Sequence, residues 1–163
     1  MQSSLKTERL LIEPLTLSDN NFILELLNTE GWIKFIGQRN INSTADATAY
    51  IQKIIDNTNT TYWAVKLKGT QTTIGVVTLI KRDYLEHHDI GFAFLPQFAN
   101  KGYAYEAASA FLKYVMSSFK FSTILATTVP ENSSSIKLLK KLGLEFAKEI
   151  ETDGEVLWVY SNP

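Results

Sequence analysis

The chain has 163 residues, 45% of them hydrophobic and 20% charged, with sixteen basic side chains against seventeen acidic ones and a net charge of −1. That length suits one domain, spanning 1–163, and the balanced charge has no run of lysines and arginines to neutralise a row of phosphates, so nucleic acid is not an expected partner. No cysteine is present, which excludes a disulfide framework, a thiolate metal site and a cysteine nucleophile, and the longest apolar stretch, Ile74 to Ile80, falls well short of the roughly 20 residues of a membrane span.

The N-terminal Met1-Gln2-Ser3-Ser4-Leu5-Lys6 lacks an apolar core followed by a small-residue cleavage site, so a cytoplasmic address is expected. The run Arg9 to Leu15 reads as a strand. Behind Ser18-Asp19, the spacing of Phe22, Ile23, Leu26 and Leu27 predicts an amphipathic helix. The segment Trp32 to Arg39 has no decisive period, whereas Ser43-Thr44-Ala45-Asp46 resembles a capping box and starts a helix that runs to about Ile55. Tyr62 to Leu67 and Thr73 to Ile80 are rich in β-branched and aromatic residues and flank Lys68-Gly69-Thr70-Gln71, a hairpin pattern, with a third antiparallel partner at His88 to Leu95. Directly after Gly102, Ala104, Ala107, Ala108, Phe111, Leu112 and Val115 form one apolar helical stripe. Thr123 to Val129 reads as a strand, Ser133 to Leu142 as a helix stopped by Gly143, and two strands close the chain around Asp153-Gly154. Hairpins followed by helix crossovers imply an α+β fold with a mixed, mostly antiparallel sheet of about seven strands and about four flanking helices.

Two segments carry chemistry. Gln97-Phe98-Ala99-Asn100-Lys101-Gly102-Tyr103-Ala104 lies between a strand and a long helix, where unpaired N–H groups and the helix dipole favour a diphosphate; a plain turn accounts for it equally well. In Asn132-Ser133-Ser134-Ser135-Ile136-Lys137-Leu138-Leu139, Asn132 or Ser133 caps a helix whose leucines turn inward and lysines outward.

Asp89-Ile90-Gly91-Phe92, Gly102-Tyr103-Ala104-Tyr105-Glu106-Ala107, and Asn132 with Ser135 and Lys141-Leu142-Gly143-Leu144 together resemble the GNAT N-acetyltransferases, in particular the branch of the ribosomal-protein N-terminal acetyltransferases. The likeness runs from Thr7-Glu8-Arg9-Leu10 to the final hairpin. It implies a sheet splayed at the fourth and fifth strands, acetyl-CoA as cosubstrate and no metal. It further implies that Phe94, Leu95, Asn100, Lys101, Gly102, Tyr103, Ala104, Asn132 and Ser135 line coenzyme A, and that Trp32, Phe35, Ile36 and Tyr50 build the acceptor pocket. The acceptor is then a primary amine, on a peptide N-terminus or a small molecule, with a non-catalytic acyl-CoA binding or sensing domain as the alternative; a monomer and a homodimer both fit. Three departures stand out: Ala99 where the family has Gln or Arg, Asn100 where it has glycine, and Leu139 where many members carry a tyrosine that protonates the leaving thiolate. Leu144 also replaces the usual phenylalanine after Gly143.

Amine acetylation needs a neutral amine, a polarised thioester and a proton for the thiolate. Strand alternation sets Asp89 beside Gly91 and Ala93, leaving room next to its carboxylate, so Asp89 is the candidate base, with Glu86, His87, His88 and water as rivals; a strand-end aspartate bonded to neighbouring backbone is the bland reading. Adjacent strand residues face opposite ways, so His87-His88-Asp89 is not expected to hold a metal. Ser135 is the candidate acid, although a serine in a first helical turn commonly serves as a cap. Glu149, Glu151, Asp153 and Glu155 around the last hairpin either attract a cationic amine or protect a solvated edge.

Overall fold

The computed structural model of the chain describes residues 4–163, so Met1, Gln2 and Ser3 of the N-terminal stretch lie outside the described residues. The strands are β1 (Leu5–Lys6), β2 (Leu10–Pro14), β3 (Thr60–Leu67), β4 (Thr73–Ile80), β5 (Asp89–Phe94), β6 (Leu125–Thr128), β7 (Glu145–Thr152) and β8 (Glu155–Ser161). The helices are α1 (Asn20–Leu27), α2 (Glu30–Phe35), α3 (Thr44–Asp56), α4 (Tyr103–Ser118) and α5 (Ser133–Lys141). All eight strands form one sheet in the order β1-β2-β3-β4-β5-β6-β8-β7. Every neighbouring pair is antiparallel except β5 with β6, the crossover through α4.

This is the expected mixed α+β architecture, with two small additions. Leu5 and Lys6 pair with Ile12 and Leu11 as an extra edge strand. Within the segment that lacked a period, Thr29 caps the six-residue α2 by accepting a hydrogen bond from the Trp32 amide.

Each face of the sheet carries its own core. On one, Ala107, Phe111 and Val115 of α4 and Leu139 of α5 pack against Leu10, Ile12, Trp63, Val77, Leu79 and Ile90. On the other, Ile23, Leu26 and Leu27 of α1 and Ala47 and Ile51 of α3 pack against Ala64, Val76 and Leu95. The alternation of β5 is what distributes these contacts: Ile90 and the partly buried Phe92 and Phe94 go to the α4 side, Ala93 to the α1 side.

Local signals act as the residue types dictate. The Ser43 hydroxyl accepts from the Asp46 amide, while the Asp46 carboxylate reaches one residue further back than a standard box, to the Asn42 amide at 3.0 Å. Asp153 and Gly154 both take positive φ, 52° and 76°, as a two-residue I′ hairpin between paired Thr152 and Glu155 requires. Among the described residues no helix is long and apolar enough to cross a membrane.

Candidate active site

The site is built where two neighbouring strands part. β5 and β6 pair at one position, Asp89 with Leu125, next to a hydrogen bond from the Leu125 amide to the His88 carbonyl. Beyond that point β5 stays paired with β4 as far as Phe94 but has no partner on its other edge among the described residues, so the sheet opens as a wedge with Asp89 at its vertex. The Leu95 amide points toward β4, bonded to the Ile74 carbonyl at 2.9 Å, and the His88 carbonyl points toward β6. By alternation, the backbone N–H and C=O groups of Phe92 and Phe94 therefore face the open wedge.

Two cavities meet there, sharing Trp32, Phe35, Ile36, Ala93, Asn132 and Ser135 among their linings. The larger, about 480 Å³, runs from the wedge along Phe92 to Phe94, past Asn100, Gly102, Tyr103 and Ala104, to Ser134, Leu138 and Lys141 of α5. Its far end is the N-terminus of α4. Gly102 caps that helix at φ 81° and no side chain bonds to the cap, so the first-turn amides of α4 face the cavity. Asn100, at φ 62°, adopts the left-handed backbone that its position demands, the role for which asparagine is the best substitute for glycine. A strand-to-helix loop with these two turns forms a concave, amide-lined seat for an anion.

This loop is held from behind by residues 92 to 99 positions earlier in the chain. The Arg9 guanidinium donates to the Lys101 carbonyl at 2.9 Å and to Glu106 at 2.7 Å, and lies 4.4 Å from the centre of the Tyr103 ring. Glu106 also accepts from the Arg9 amide at 2.9 Å and from the Thr7 hydroxyl. Burial tends to raise the Glu106 pKa, but these donors outweigh it and hold the carboxyl below its ordinary value. Arg9 and Glu106 thus brace the loop, a role that motif reading did not assign, although Arg9 lies in Thr7-Glu8-Arg9-Leu10 and Glu106 in Gly102-Tyr103-Ala104-Tyr105-Glu106-Ala107.

The smaller cavity, about 270 Å³, lies on the α1 and α3 face, walled by Tyr62, Val76, Thr78, Gly91 and Ala93 of the sheet, by Arg39, and by Glu155 and Leu157 of β8. Asp89 sits at its end, buried at 3% exposure. One carboxylate oxygen accepts from Arg82 Nε at 2.9 Å and from the Thr127 hydroxyl at 3.4 Å, while Oδ1 is buried with no partner among the described residues. Burial raises the Asp89 pKa, and Arg82 and Thr127 oppose that without cancelling it. Burial and the neighbouring Tyr50 hydroxyl push the Tyr62 phenol well above its usual value, so it remains a proton donor in the cavity wall.

The remaining expected residues divide clearly. Asn132 caps α5, its side chain accepting from the Ser135 amide at 3.3 Å, and both residues line both cavities. Ser135 lies one turn before Leu139 on the same helix face, and Leu139 reaches the smaller cavity as a buried hydrocarbon. Trp32 and Phe35 line both spaces, whereas Tyr50 lines neither and stands behind Tyr62. Leu95 also falls outside: its amide is bonded to Ile74, its carbonyl accepts from Phe98, and its side chain is packed in the α1 core. Lys101 is exposed, lines neither cavity and gives its carbonyl to Arg9. Glu86, His87 and His88 line neither cavity; His88 stacks on Phe121 at 4.7 Å, and burial followed by Lys81 lowers its pKa. Of the acidic hairpin residues, Glu155 alone is in a cavity wall, and Glu149 accepts from the Trp158 indole on the exposed edge.

Comparison with known proteins identifies the family and the fold. The acetyltransferase (GNAT) domain family matches residues 9–145. The uncharacterized N-acetyltransferase YnaD of Bacillus subtilis (strain 168) is 31% identical over 155 residues, covering 93% of this chain and 90% of that protein. The crystal structure of a GNAT-family acetyltransferase from Bacillus anthracis is similar at a TM-score of 0.81 and 28% identity, over 97% of this chain and 96% of that one. The ribosomal-protein-S5-alanine acetyltransferase of Vibrio fischeri shares the fold at a TM-score of 0.83 and 18% identity, over 99% and 96% of the two chains.

Proposed function

The chain belongs to the GNAT acetyltransferases, which take their acyl group from acetyl-CoA, and from that premise we propose that it moves acetyl directly to a primary amine, on a protein N-terminus or a small molecule. One observation carries this reading: the two cavities meet at the open edge of β5, so a thioester entering from one side and an amine from the other reach the same point. With no cysteine in the chain to hold an acyl group as a thioester, direct transfer is the economical path.

In this reading coenzyme A occupies the larger cavity, its pyrophosphate on the amides around Gly102 to Ala104 and its pantetheine arm along the free edge at Phe92 and Phe94. An N–H of that edge polarises the thioester carbonyl. Asp89 takes a proton from the incoming ammonium, directly or through water, using the unpaired Oδ1. The amine nitrogen then bonds to the carbonyl carbon, the carbon–sulfur bond breaks, the nitrogen gives its one remaining extra proton to solvent, and the thiolate collects a proton from water or from Ser135, which water then reprotonates. Products are the acetamide, free coenzyme A and one net proton.

Isothermal titration with acetyl-CoA and a screen of amines and peptides for free coenzyme A test the proposal together. Tight acetyl-CoA binding with thiol release on at least one amine is the expected result. Binding without release on any acceptor would instead favour a non-catalytic acyl-CoA binding domain, the reading that the proton-free Leu139 supports.

A further inference from the structure

The acceptor cavity has a charge pattern of its own. Four formally charged side chains line it, Arg39, Arg82, Asp89 and Glu155, so its wall has no negative excess of the kind that a polycation needs. Arg82 is committed to Asp89 through Nε. Arg39 is different: it is an exposed side chain in the cavity lining that, among the described residues, forms no ion pair and no hydrogen bond, so its five donors are free to meet a ligand.

That position is built into the loop between α2 and α3. Gly37 has φ 128° and Asn40 φ 57°, and the Gln38 side chain accepts from the Asn40 amide at 3.0 Å, so the loop turns sharply on both sides of Arg39. A Cβ at Gly37 would stand 2.9 Å from Arg39 Nη1, so the guanidinium lies back over Gly37, whose φ of 128° is what calls for glycine there. The protonated Tyr62 hydroxyl stands in the same cavity wall. A planar fork of donors with a phenolic donor nearby suits a carboxylate. At about 270 Å³ the space lies just under the roughly 300–1,000 Å³ of drug-sized pockets, so it suits a small occupant.

We propose that the acceptor is a free amino acid, its carboxylate held by Arg39 and its ammonium directed toward Asp89. This rests on the reading that the smaller cavity receives the amine. Asp89 and Glu155 then face the positive end of a zwitterion while Arg39 faces the negative end, and simple polyamines, which present no anion to Arg39, are poor acceptors.

The test is coenzyme A release with matched acceptors: a set of amino acids, the corresponding amino acid amides, the decarboxylated amines, a polyamine and C-terminally blocked tripeptides. Wild-type enzyme should favour an amino acid over its own amide and its decarboxylated amine by about 10²-fold in kcat/KM. Arg39→Gln should raise KM for that amino acid by about tenfold or more with kcat little changed, and should erase the preference over the amide, while Arg39→Lys should restore part of it. Acetyl-CoA affinity, measured by calorimetry on the same variants, should not move, because Arg39 does not line the cofactor cavity. Equal or better turnover of amides, amines, polyamine or blocked peptides would overturn the amino acid assignment while leaving the enzyme an acetyltransferase. Acetyl-CoA binding with no release on any acceptor would overturn both readings.

Discussion

Gly75 and Phe94 are paired across β4 and β5, and a Cβ on Gly75 would stand 2.3 Å from the Phe94 ring. The absent side chain is what allows that ring to lie over Gly75 and form part of the wall of the larger cavity. Gly75→Ala should therefore push the ring into the cavity, weakening acetyl-CoA binding and costing about 1–3 kcal/mol of stability as an overpacked core site does. Calorimetric titration and chemical denaturation measure the two effects.

Gly102 places the α4 amides with a backbone that a β-branched residue strongly resists. Gly102→Val should abolish measurable acetyl-CoA binding and destabilise the protein by about 1–3 kcal/mol, leaving the far-ultraviolet circular dichroism unchanged. The companion Asn100→Gly should bind acetyl-CoA at least as well as wild type, because φ 62° suits glycine without cost. A severe loss in Asn100→Gly would give the asparagine side chain a direct part in binding.

Arg9 and Glu106 hold the same loop without touching the cavity between them, so their loss should appear in affinity. Glu106→Gln and Arg9→Lys should each weaken acetyl-CoA binding several-fold with kcat at saturation little altered. Since the folded state lowers the Glu106 pKa, the brace is fully present above the ordinary carboxylate value and is lost as pH falls through the lowered one. Affinity of the wild type should thus be flat through neutral pH and fall only in acid, and titrations between pH 4 and 8 check it.

Strands β2 to β8 and the long helices were legible because each has a clean period, whereas the two-residue β1 is too short to show one, and Asp153-Gly154 and Gly143 marked their turns correctly. The short helix α2 was not, since Gly31 and Gly37 interrupt its pattern and its cap at Thr29 accounts for it better than any apolar stripe. In the site, Asn132, Ser135, Gly102 and Asp89 could be placed from motif and alternation. Leu95 could not, because whether its amide faces the wedge or β4 is decided by strand register. Tyr50 failed for a similar reason: one helical position decides whether a tyrosine faces the cavity or stands behind Tyr62. Arg9 and Arg82 meet partners, and Arg39 a cavity, that only the fold assembles, and an isolated arginine in a sequence carries no mark of that.

Asp89→Asn separates the base role from a structural one. It should lower kcat at neutral pH by about 10²–10⁴-fold with acetyl-CoA affinity little changed, and the defect should shrink as pH rises and more acceptor arrives neutral. Burial raises the Asp89 pKa, so the wild-type acid limb should lie above the ordinary carboxylate range, with rate rising as pH climbs through it, and should vanish in the variant. Ser135→Ala should cost less, and high pH should not restore it. Near-normal turnover of Asp89→Asn at neutral pH would pass the role to water.

Direct transfer between two cavities that share a wall is tested most directly by steady-state velocities with acetyl-CoA and a working amine both varied, together with the intact mass of enzyme incubated with acetyl-CoA alone. Intersecting double-reciprocal lines and an unchanged protein mass are the predicted result. Parallel lines accompanied by a stable 42 Da adduct, about the mass of one acetyl group replacing a proton on a covalent nucleophile, would contradict it.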